Sequence, residues 1–369
     1  MAILAVHELP RVRVSRASRG PITSSLLLIA DPWLAATLVA AIFASLISWF
    51  IAFQTHTILL YRDTHSHLDI ARRVVDASST GLAQLGGVWL PLPHLVMLPF
   101  IWNDYLWRSG LAGSFPSMIA YVITAVFLYR TAFRLTSDQR ASFLGALVFI
   151  LNPNILYLQA TPLSELVLIA SMTAACYYFI TWAKEDNPRH LIFAAVCTFL
   201  AALARYDGWA LFLVCLTLIA IIGWRRKTPR RVVQGNLFLY GLPGALGIGL
   251  WLLWNLVIFH DPLYFQHSQY SAQDQQKFFI SNHLDWTYHN LWQAIHDYLV
   301  VALETVGPLL FVVALAGLIA FCFRSKLSPE MLASLAFLVP LPFYIAAMFS
   351  GQAIVFAPGA ASSAVHDVW

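Results

Sequence analysis

The stretch PWLAATLVAAIFASLISWFIAFQTH, residues 32–56, contains no Asp, Glu, Lys or Arg. A helix of about 20 apolar residues crosses the hydrocarbon core of a bilayer, so this stretch is long enough to span it. The whole chain has the same character, because 59% of its 369 residues are hydrophobic and only 11% are charged. So few charged side chains cannot cover the surface of a water-soluble globule. The sequence therefore predicts an all-α, polytopic membrane helical bundle.

Nine apolar stretches are candidates for membrane-spanning helices. They lie at 32–56, 114–129, 141–157, 163–183, 190–204, 208–224, 236–258, 299–322 and 329–349. We therefore predict about nine transmembrane helices within a membrane domain of residues 32–350.

The basic residues predict how these spans are oriented. Residues 1–31 precede the first span and contain Arg11, Arg13, Arg16 and Arg19. Basic residues near the ends of spans are retained in the cytoplasm, so this segment is predicted to be a cytoplasmic tail. Most of the remaining Lys and Arg residues then also fall in inner segments. Two long outer loops follow from this topology, at 57–113 and 259–298.

The apolar segment GGVWLPLPHLVMLPFIW, residues 86–102, could add a tenth span. It contains three prolines, Pro91, Pro93 and Pro99. Proline removes a backbone donor and kinks or stops a helix. We therefore interpret the segment as a re-entrant or interfacial element of the first outer loop.

The segment LLYRDTHSHLDIARRVVD, residues 59–76, places several charges directly after the first span. Asp69, Arg72, Arg73 and Asp76 follow a helical spacing, with apolar residues on another side. This pattern predicts a helix lying on the membrane surface. The two arginines, together with Arg62, His65 and His67 of the same segment, are candidate substrate-binding residues. Alternatively, Asp69–Arg73 and Arg72–Asp76 are ordinary i, i+4 ion pairs on a solvated face.

Asp63 lies at the membrane exit, before the helix predicted from this spacing, and is flanked by Arg62, His65 and His67. A carboxylate held there can act as a general base or bind a divalent cation. His65 could join Asp63 as a metal ligand, and His67 could do so too. The alternatives are that Asp63 marks a helix end and that the histidines only form hydrogen bonds.

Glu165 follows Thr161 and Pro162 at the outer edge of a predicted span. Thr161 is expected to cap this helix, and a carboxylate in the first turn favours a helix N-terminus. An ionisable residue in a membrane segment is also a functional hypothesis by default. Glu165 is therefore either a structural residue or a catalytic one.

The segment ARYDGWALF places Arg205 and Asp207 in a short break between two apolar stretches. Gly208 would allow the turn, and Tyr206 and Trp209 would anchor it at the interface. The two charges could simply form an internal ion pair. Alternatively they bind substrate, because a guanidinium can grip the oxygens of a lipid-linked phosphate bidentately.

Five motifs in this order resemble the C-superfamily (GT-C) glycosyltransferases, which are integral-membrane enzymes of the protein O-mannosyltransferase and aminoarabinose-transferase kind. The motifs are YRDTHSHLDIARRVVD, GGVWLPLPHLVMLPF, LNPNILYLQATPLSE, ARYDGW and DPLYF, spread over roughly residues 30–350. The resemblance implies that a sugar is transferred from a polyprenyl-phosphate donor on the extracytoplasmic side of the membrane, here expected to be the plasma membrane. The acceptor would be a protein, a lipid or a glycan, and no nucleic-acid partner is implied.

The resemblance also implies roles for individual residues. Asp63 matches the first-loop carboxylate that serves the family as catalytic base or metal ligand. Arg72, Arg73 and Arg205 are candidates to stabilise the departing phosphate. The family often has adjacent acidic residues at this place, whereas Asp63 is followed by Thr64, His65 and Ser66. A divalent cation is therefore only one possibility.

Family members commonly continue past the ninth span, so we expect residues 351–369 to be an outer tail of a truncated chain.

The charged groups near the outer face also allow a second function, because they could equally bind and move a polar or lipid-linked solute. A carrier or flippase is therefore the alternative function.

Overall fold

The structure is a computed structural model that describes residues 31–282 and 284–353. The four arginines of the predicted cytoplasmic tail and nearly all of the predicted outer tail lie outside these residues. All the regular structure in the described part of the chain is helical, as the sequence predicts.

The described residues of the first half of the chain form eight α-helices. These are α1 (Pro32–Gln54), α2 (Arg62–Val75), α3 (Leu92–Ile101), α4 (Asp104–Arg108), α5 (Leu111–Thr136), α6 (Gln139–Ile150), α7 (Pro153–Leu158) and α8 (Glu165–Glu185). A short 3₁₀-helix, Leu82–Leu85, lies between α2 and α3.

From residue 188 to residue 353, the part of the second half that the structure describes adds nine α-helices to the bundle. These are α9 (Pro188–Ala204), α10 (Asp207–Arg225), α11 (Arg230–Phe259), α12 (Tyr264–His267), α13 (Ala272–Ser281), α14 (Leu291–Val306), α15 (Pro308–Ser325), α16 (Pro329–Ser334) and α17 (Pro340–Phe349). A second 3₁₀-helix, Leu335–Leu338, connects the last two.

Within the described residues, seven helices are long and apolar enough to cross a membrane. They are α1, α5, α8, α10, α11, α15 and the combined segment from α16 to α17. The other two predicted spans, 141–157 and 190–204, correspond to the shorter helices α6 with α7 and α9. The polytopic bundle is therefore confirmed, while the count of nine spans stays a prediction.

Helix α9 is short but lies at the centre of the bundle. It packs between α8 and α11, and its contact faces are built from small, fully buried residues such as Ala194, Ala195 and Ala201. Small side chains allow helix backbones to approach closely in a membrane bundle. On α11, a Cβ at Gly247 would lie 3.0 Å from the Phe199 carbonyl oxygen. This close packing fixes the end of α9, where the candidate site begins.

The first outer loop is largely helical, as predicted for its beginning. Helix α2 buries Leu68 and Ala71, on the side that the sequence marks as apolar. Asp63 was expected to precede this helix, which is wrong, because α2 begins at Arg62 and Asp63 lies in its first turn. The apolar segment 86–102 forms only the ten-residue helix α3, about 15 Å long, which is too short to span a bilayer.

Two expected helix boundaries are also corrected. Thr161 does not cap α8, because this helix begins at Glu165 and the Thr161 hydroxyl donates to the Leu158 carbonyl over 2.7 Å. The predicted span 299–322 is divided by Gly307, where φ is +85°. Pro308 then starts α15. A left-handed glycine followed by proline ends one helix and begins another.

Candidate active site

The centre of the candidate site is the tight turn between α9 and α10. Arg205 has an extended backbone, and α10 starts two residues later at Asp207. A Cβ at Gly208 would lie 2.3 Å from the backbone of Ala201, so only glycine lets the chain turn this closely. The turn therefore places the charged side chains of Arg205 and Asp207 close to each other.

Arg205 is held between two carboxylates. Its Nη1 atom donates to Glu165 Oε1 over 2.9 Å and to Ser164 Oγ over 3.0 Å. Its Nε atom lies 3.6 Å from Asp207 Oδ2, which is an ion pair without a hydrogen bond. The side chains of Arg205 and Glu165 are each 32% exposed, whereas that of Asp207 is 4% exposed. The guanidinium is therefore oriented by the protein and still accessible.

The protonation of Arg205 follows from these contacts. Burial alone would lower its pKa, but the charge of Glu165, with smaller contributions from its other partners, raises the pKa above the ordinary value. The arginine is thus a fixed cation. In the described residues, the buried Glu165 Oε2 atom has no hydrogen-bond partner, so this carboxylate keeps an unused acceptor.

The C-terminal helices contribute two tyrosines to this cluster. Tyr344 on α17 interacts electrostatically with Arg205 and Asp207, and Tyr298 on α14 interacts with Asp207. The two phenol rings are stacked with centroids 6.2 Å apart. Sequence analysis missed both tyrosines, because nothing in their apolar surroundings distinguishes them from interfacial aromatic residues.

The first outer loop reaches the same place through His67 on α2. Its Nδ1 atom lies 2.8 Å from Nε2 of His94 on α3, and its ring stacks on Trp89 with centroids 4.4 Å apart. Burial, and next the positive charge of Arg205, lower the pKa of His67 to about 4. His67 is therefore neutral at ordinary pH, and it lies close enough to Arg205 for that charge to affect its pKa.

Tyr206 joins three segments around the turn. Its hydroxyl donates to the Val88 carbonyl over 2.6 Å and accepts from Trp251 Nε1 over 3.3 Å. Its ring also stacks on Phe265 of α12, with centroids 5.0 Å apart. The sequence predicted Tyr206 and Trp209 as interfacial anchors. Both rings pack against Phe265 in this contact region, and their place at the membrane interface stays a prediction.

All five motifs singled out in the sequence thus come together at one end of the bundle.

Residues 107–253 of the chain match a protein family, that of the dolichyl-phosphate-mannose-protein mannosyltransferases. These residues resemble mannosyltransferases. No curated protein and no solved structure matches the chain.

The mannosyltransferase match confirms the resemblance to the GT-C glycosyltransferases and supports a glycosyltransferase that uses a polyprenyl-phosphate-linked sugar. The matched range contains Glu165, Arg205 and Asp207. It does not reach Asp63 or the rest of α2. The roles suggested for the first-loop residues are therefore independent of this match.

Asp63 is exposed at the start of α2. Within the described residues its carboxylate makes no hydrogen bond or ion pair. It lies four residues before His67, and residues at this spacing share one side of a helix. Asp63 therefore shares one side of α2 with His67, and its carboxylate is exposed.

The other predicted residues of α2 are distributed around the helix. Arg62, His65 and Arg73 are exposed. Arg72 is occupied within the protein: it pairs with Asp76 and Asp104, both at 2.6 Å, and donates to a backbone carbonyl of α3. The structure therefore brings His67 to the Arg205 cluster and leaves Arg72 as a link between α2, α3 and α4.

A metal site built on Asp63 and His65 does not fit this helix. Side chains two residues apart in a helix do not face each other, and His67 is turned inward to His94. In residues 31–282 and 284–353 no group of three or more His, Cys, Asp and Glu is placed to hold a metal ion. We therefore derive no catalytic step through a metal.

Proposed function

We propose that this protein is a glycosyltransferase that moves a sugar from a polyprenyl-phosphate donor to an acceptor hydroxyl at the extracytoplasmic face of the plasma membrane. One observation carries the proposal. The cluster of Glu165, Arg205 and Asp207 lies inside the region matched to mannosyltransferases. The first-loop helix α2 packs on α3, which in turn contacts α9 next to this cluster, so donor and acceptor groups can be bound at one site.

Arg205 is proposed to bind the phosphate of the donor. Its Nη1 and Nε atoms are directed at Glu165 and Asp207, which fixes the plane of the guanidinium. A guanidinium has five N–H donors, and the group is still a third exposed. Its remaining donors can therefore stabilise the negative charge that develops on the phosphate as it leaves. The two carboxylates act as positioning residues in this mechanism.

Asp63 is proposed as the general base. Its carboxylate removes the proton from the acceptor hydroxyl while that oxygen forms a bond to the anomeric carbon. The bond from the anomeric carbon to the phosphate oxygen breaks at the same time, and polyprenyl phosphate leaves with the electron pair. Attack opposite the leaving group inverts the anomeric centre. The acceptor would be a protein, a lipid or a glycan.

Glu165 is the second candidate for the base. Its Oε2 atom is a free acceptor, but its Oε1 atom is engaged by Arg205 at 2.9 Å. Asp63, which is unpaired in the described residues, is therefore preferred, and Glu165 is assigned to hold Arg205.

The test uses the full-length protein in proteoliposomes with radiolabelled polyprenyl-phosphate mannose and acceptors of the three classes. Transfer should be lost in Asp63→Asn. It should persist in Asp69→Asn, an exposed carboxylate on the same helix. Arg205→Lys should reduce kcat, because lysine cannot bind phosphate bidentately.

Two outcomes would contradict the assignment. Full transfer by Asp63→Asn, together with loss in Glu165→Gln, would make Glu165 the base. Exchange of the labelled donor across the bilayer without any glycosylated product would indicate a carrier instead of an enzyme. The same assay with polyprenyl-phosphate pentoses distinguishes a pentosyl from a hexosyl transferase.

A further inference from the structure

A cavity of about 720 Å³ lies at the junction of α10 and α11. Its lining includes Trp224, Arg225, Lys227, Thr228, Arg230 and Gln234. Helix α10 begins at Asp207 in the candidate active site and ends at Arg225 in this cavity. Its 19 residues measure about 28 Å. The cavity is therefore at the opposite membrane surface from the Arg205 cluster.

The three cations of the cavity are not neutralised by the protein. Within the described residues, the side chains of Arg225, Lys227 and Arg230 form no ion pair or hydrogen bond. The neighbouring Arg226 behaves differently, because it pairs with Asp186 at 3.0 Å and donates to the Ala183 carbonyl. One cation of this turn thus holds the fold together, and three face an open cavity.

The surroundings of the cavity place it at the bilayer surface. Helices α10 and α11 are both long and apolar enough to span, so the turn between them meets the headgroup layer. Trp224 lines the cavity, and 78% of its surface is exposed. Tryptophan is enriched at this depth of the membrane. Val233 and Ala220 add an apolar wall on the side of the helices.

We propose that this cavity binds the phosphate headgroup of an anionic membrane lipid. Arg225, Lys227 and Arg230 would surround the phosphate, and Trp224 would lie against the glycerol region. The acyl chains would follow the apolar surfaces of α10 and α11. Basic pockets between the ends of membrane helices are suited to such headgroups. This site shares no residue with the proposed glycosyltransferase site, so either proposal can fail without the other.

The test measures lipid retained by the purified full-length protein. Protein is taken from nanodiscs of phosphatidylcholine containing a minor fraction of phosphatidylglycerol, and the bound lipid is counted by native mass spectrometry. Arg230→Gln should lower the retained phosphatidylglycerol about fivefold, the effect expected for one basic residue near an anionic lipid surface. Arg231→Gln is the matched control, because Arg231 is the next residue and is exposed outside the cavity.

Three results would overturn the proposal. Equal losses in Arg230→Gln and Arg231→Gln would indicate diffuse surface charge instead of a site. Equal retention of phosphatidylcholine and phosphatidylglycerol would exclude recognition of the anionic headgroup. Displacement of the lipid by inorganic phosphate would indicate a site for a soluble anion. Lys227→Gln provides an independent second variant, and an unchanged thermal midpoint in each variant excludes misfolding as the cause.

Discussion

The Nδ1 atom of His67 lies 2.8 Å from the Nε2 atom of His94, with both rings buried between α2 and α3. One nitrogen of this pair must donate and the other must accept. The contact therefore requires at least one neutral imidazole. The contact joins α2 to α3 within the first loop, residues 57–113.

The His67 contact predicts that acid destabilises the protein. The pKa of His67 is about 4 in the folded chain and 6.5 when unperturbed. Between these values the unfolded chain binds a proton that the folded chain does not, so the free energy of unfolding falls as the pH falls from 6.5 to 4. His67→Gln should flatten this dependence in thermal unfolding of detergent-purified protein.

His65→Gln is the control for that experiment, because His65 is on the same helix and is exposed. It should leave the pH dependence as in the unmodified protein. If both variants show the original slope between pH 4 and 6.5, His67 does not control acid stability.

The Glu165–Arg205 pair should contribute more to stability than a surface pair. Glu165→Gln should lower the free energy of unfolding by about 1–3 kcal/mol, because the partly buried cation of Arg205 then has one carboxylate partner instead of two. A double-mutant cycle with Arg205→Gln measures the coupling directly.

The Arg226–Asp186 pair supplies the reference cycle, since Asp186 is 68% exposed and the separation is 3.0 Å. Exposed pairs contribute about 0–1 kcal/mol. A coupling energy for Glu165 with Arg205 no larger than this reference would show that the cluster is not held by its charges.

Gly113 should tolerate no side chain. A Cβ at this position of α5 would lie 2.1 Å from Cβ of Pro162, in the segment that leads into Glu165. Gly113→Ala should therefore destabilise the protein by about 1–3 kcal/mol and reduce sugar transfer, both measurable on purified protein.

Gly145→Ala provides the comparison, because a Cβ there meets no atom within 4 Å. It lies inside α6, where alanine is favoured over glycine by about 0.5–1 kcal/mol. If the Gly113→Ala protein is as stable as Gly145→Ala, then α5 and the segment around Pro162 can move apart without lowering the free energy of unfolding.

Labelling of single cysteines should determine the orientation in the membrane. With Cys197 and Cys322 replaced by serine, Thr80→Cys in the first loop should react with an impermeant maleimide from outside the cell. Gly235→Cys, near the start of α11, should react only after permeabilisation. Cys197 and Cys322 are partly exposed and would otherwise contribute background, whereas the other two native cysteines, Cys176 and Cys215, are buried and are kept. The reverse pattern would invert the topology.

The lengths of the apolar stretches predicted most of the helices, because a membrane helix depends mainly on its own continuous stretch of apolar residues. Helix α9 lies where the sequence predicted it, and its 17 residues run from Pro188 to the turn at Arg205. The prediction failed where backbone chemistry decided. Gly307 and Pro308 divide a continuous apolar stretch into α14 and α15.

The charged residues of the candidate site were predictable for a related reason. Glu165, Arg205 and Asp207 are costly in an apolar chain and therefore stand out in the sequence. Which of them meet was not predictable, since Glu165 and Arg205 are 40 residues apart. His94 and Tyr344 gave no local signal, because their partners come from distant segments.

The Tyr206 hydroxyl donates to the Val88 carbonyl while its ring stacks on Phe265, so one side chain joins the two predicted outer loops, 57–113 and 259–298. Under the proposed function, a lipid-linked sugar that enters between these loops would have to break the hydrogen bond and the aromatic stack together. The position of a single phenol would then control both access for the donor and the geometry of the turn at Arg205.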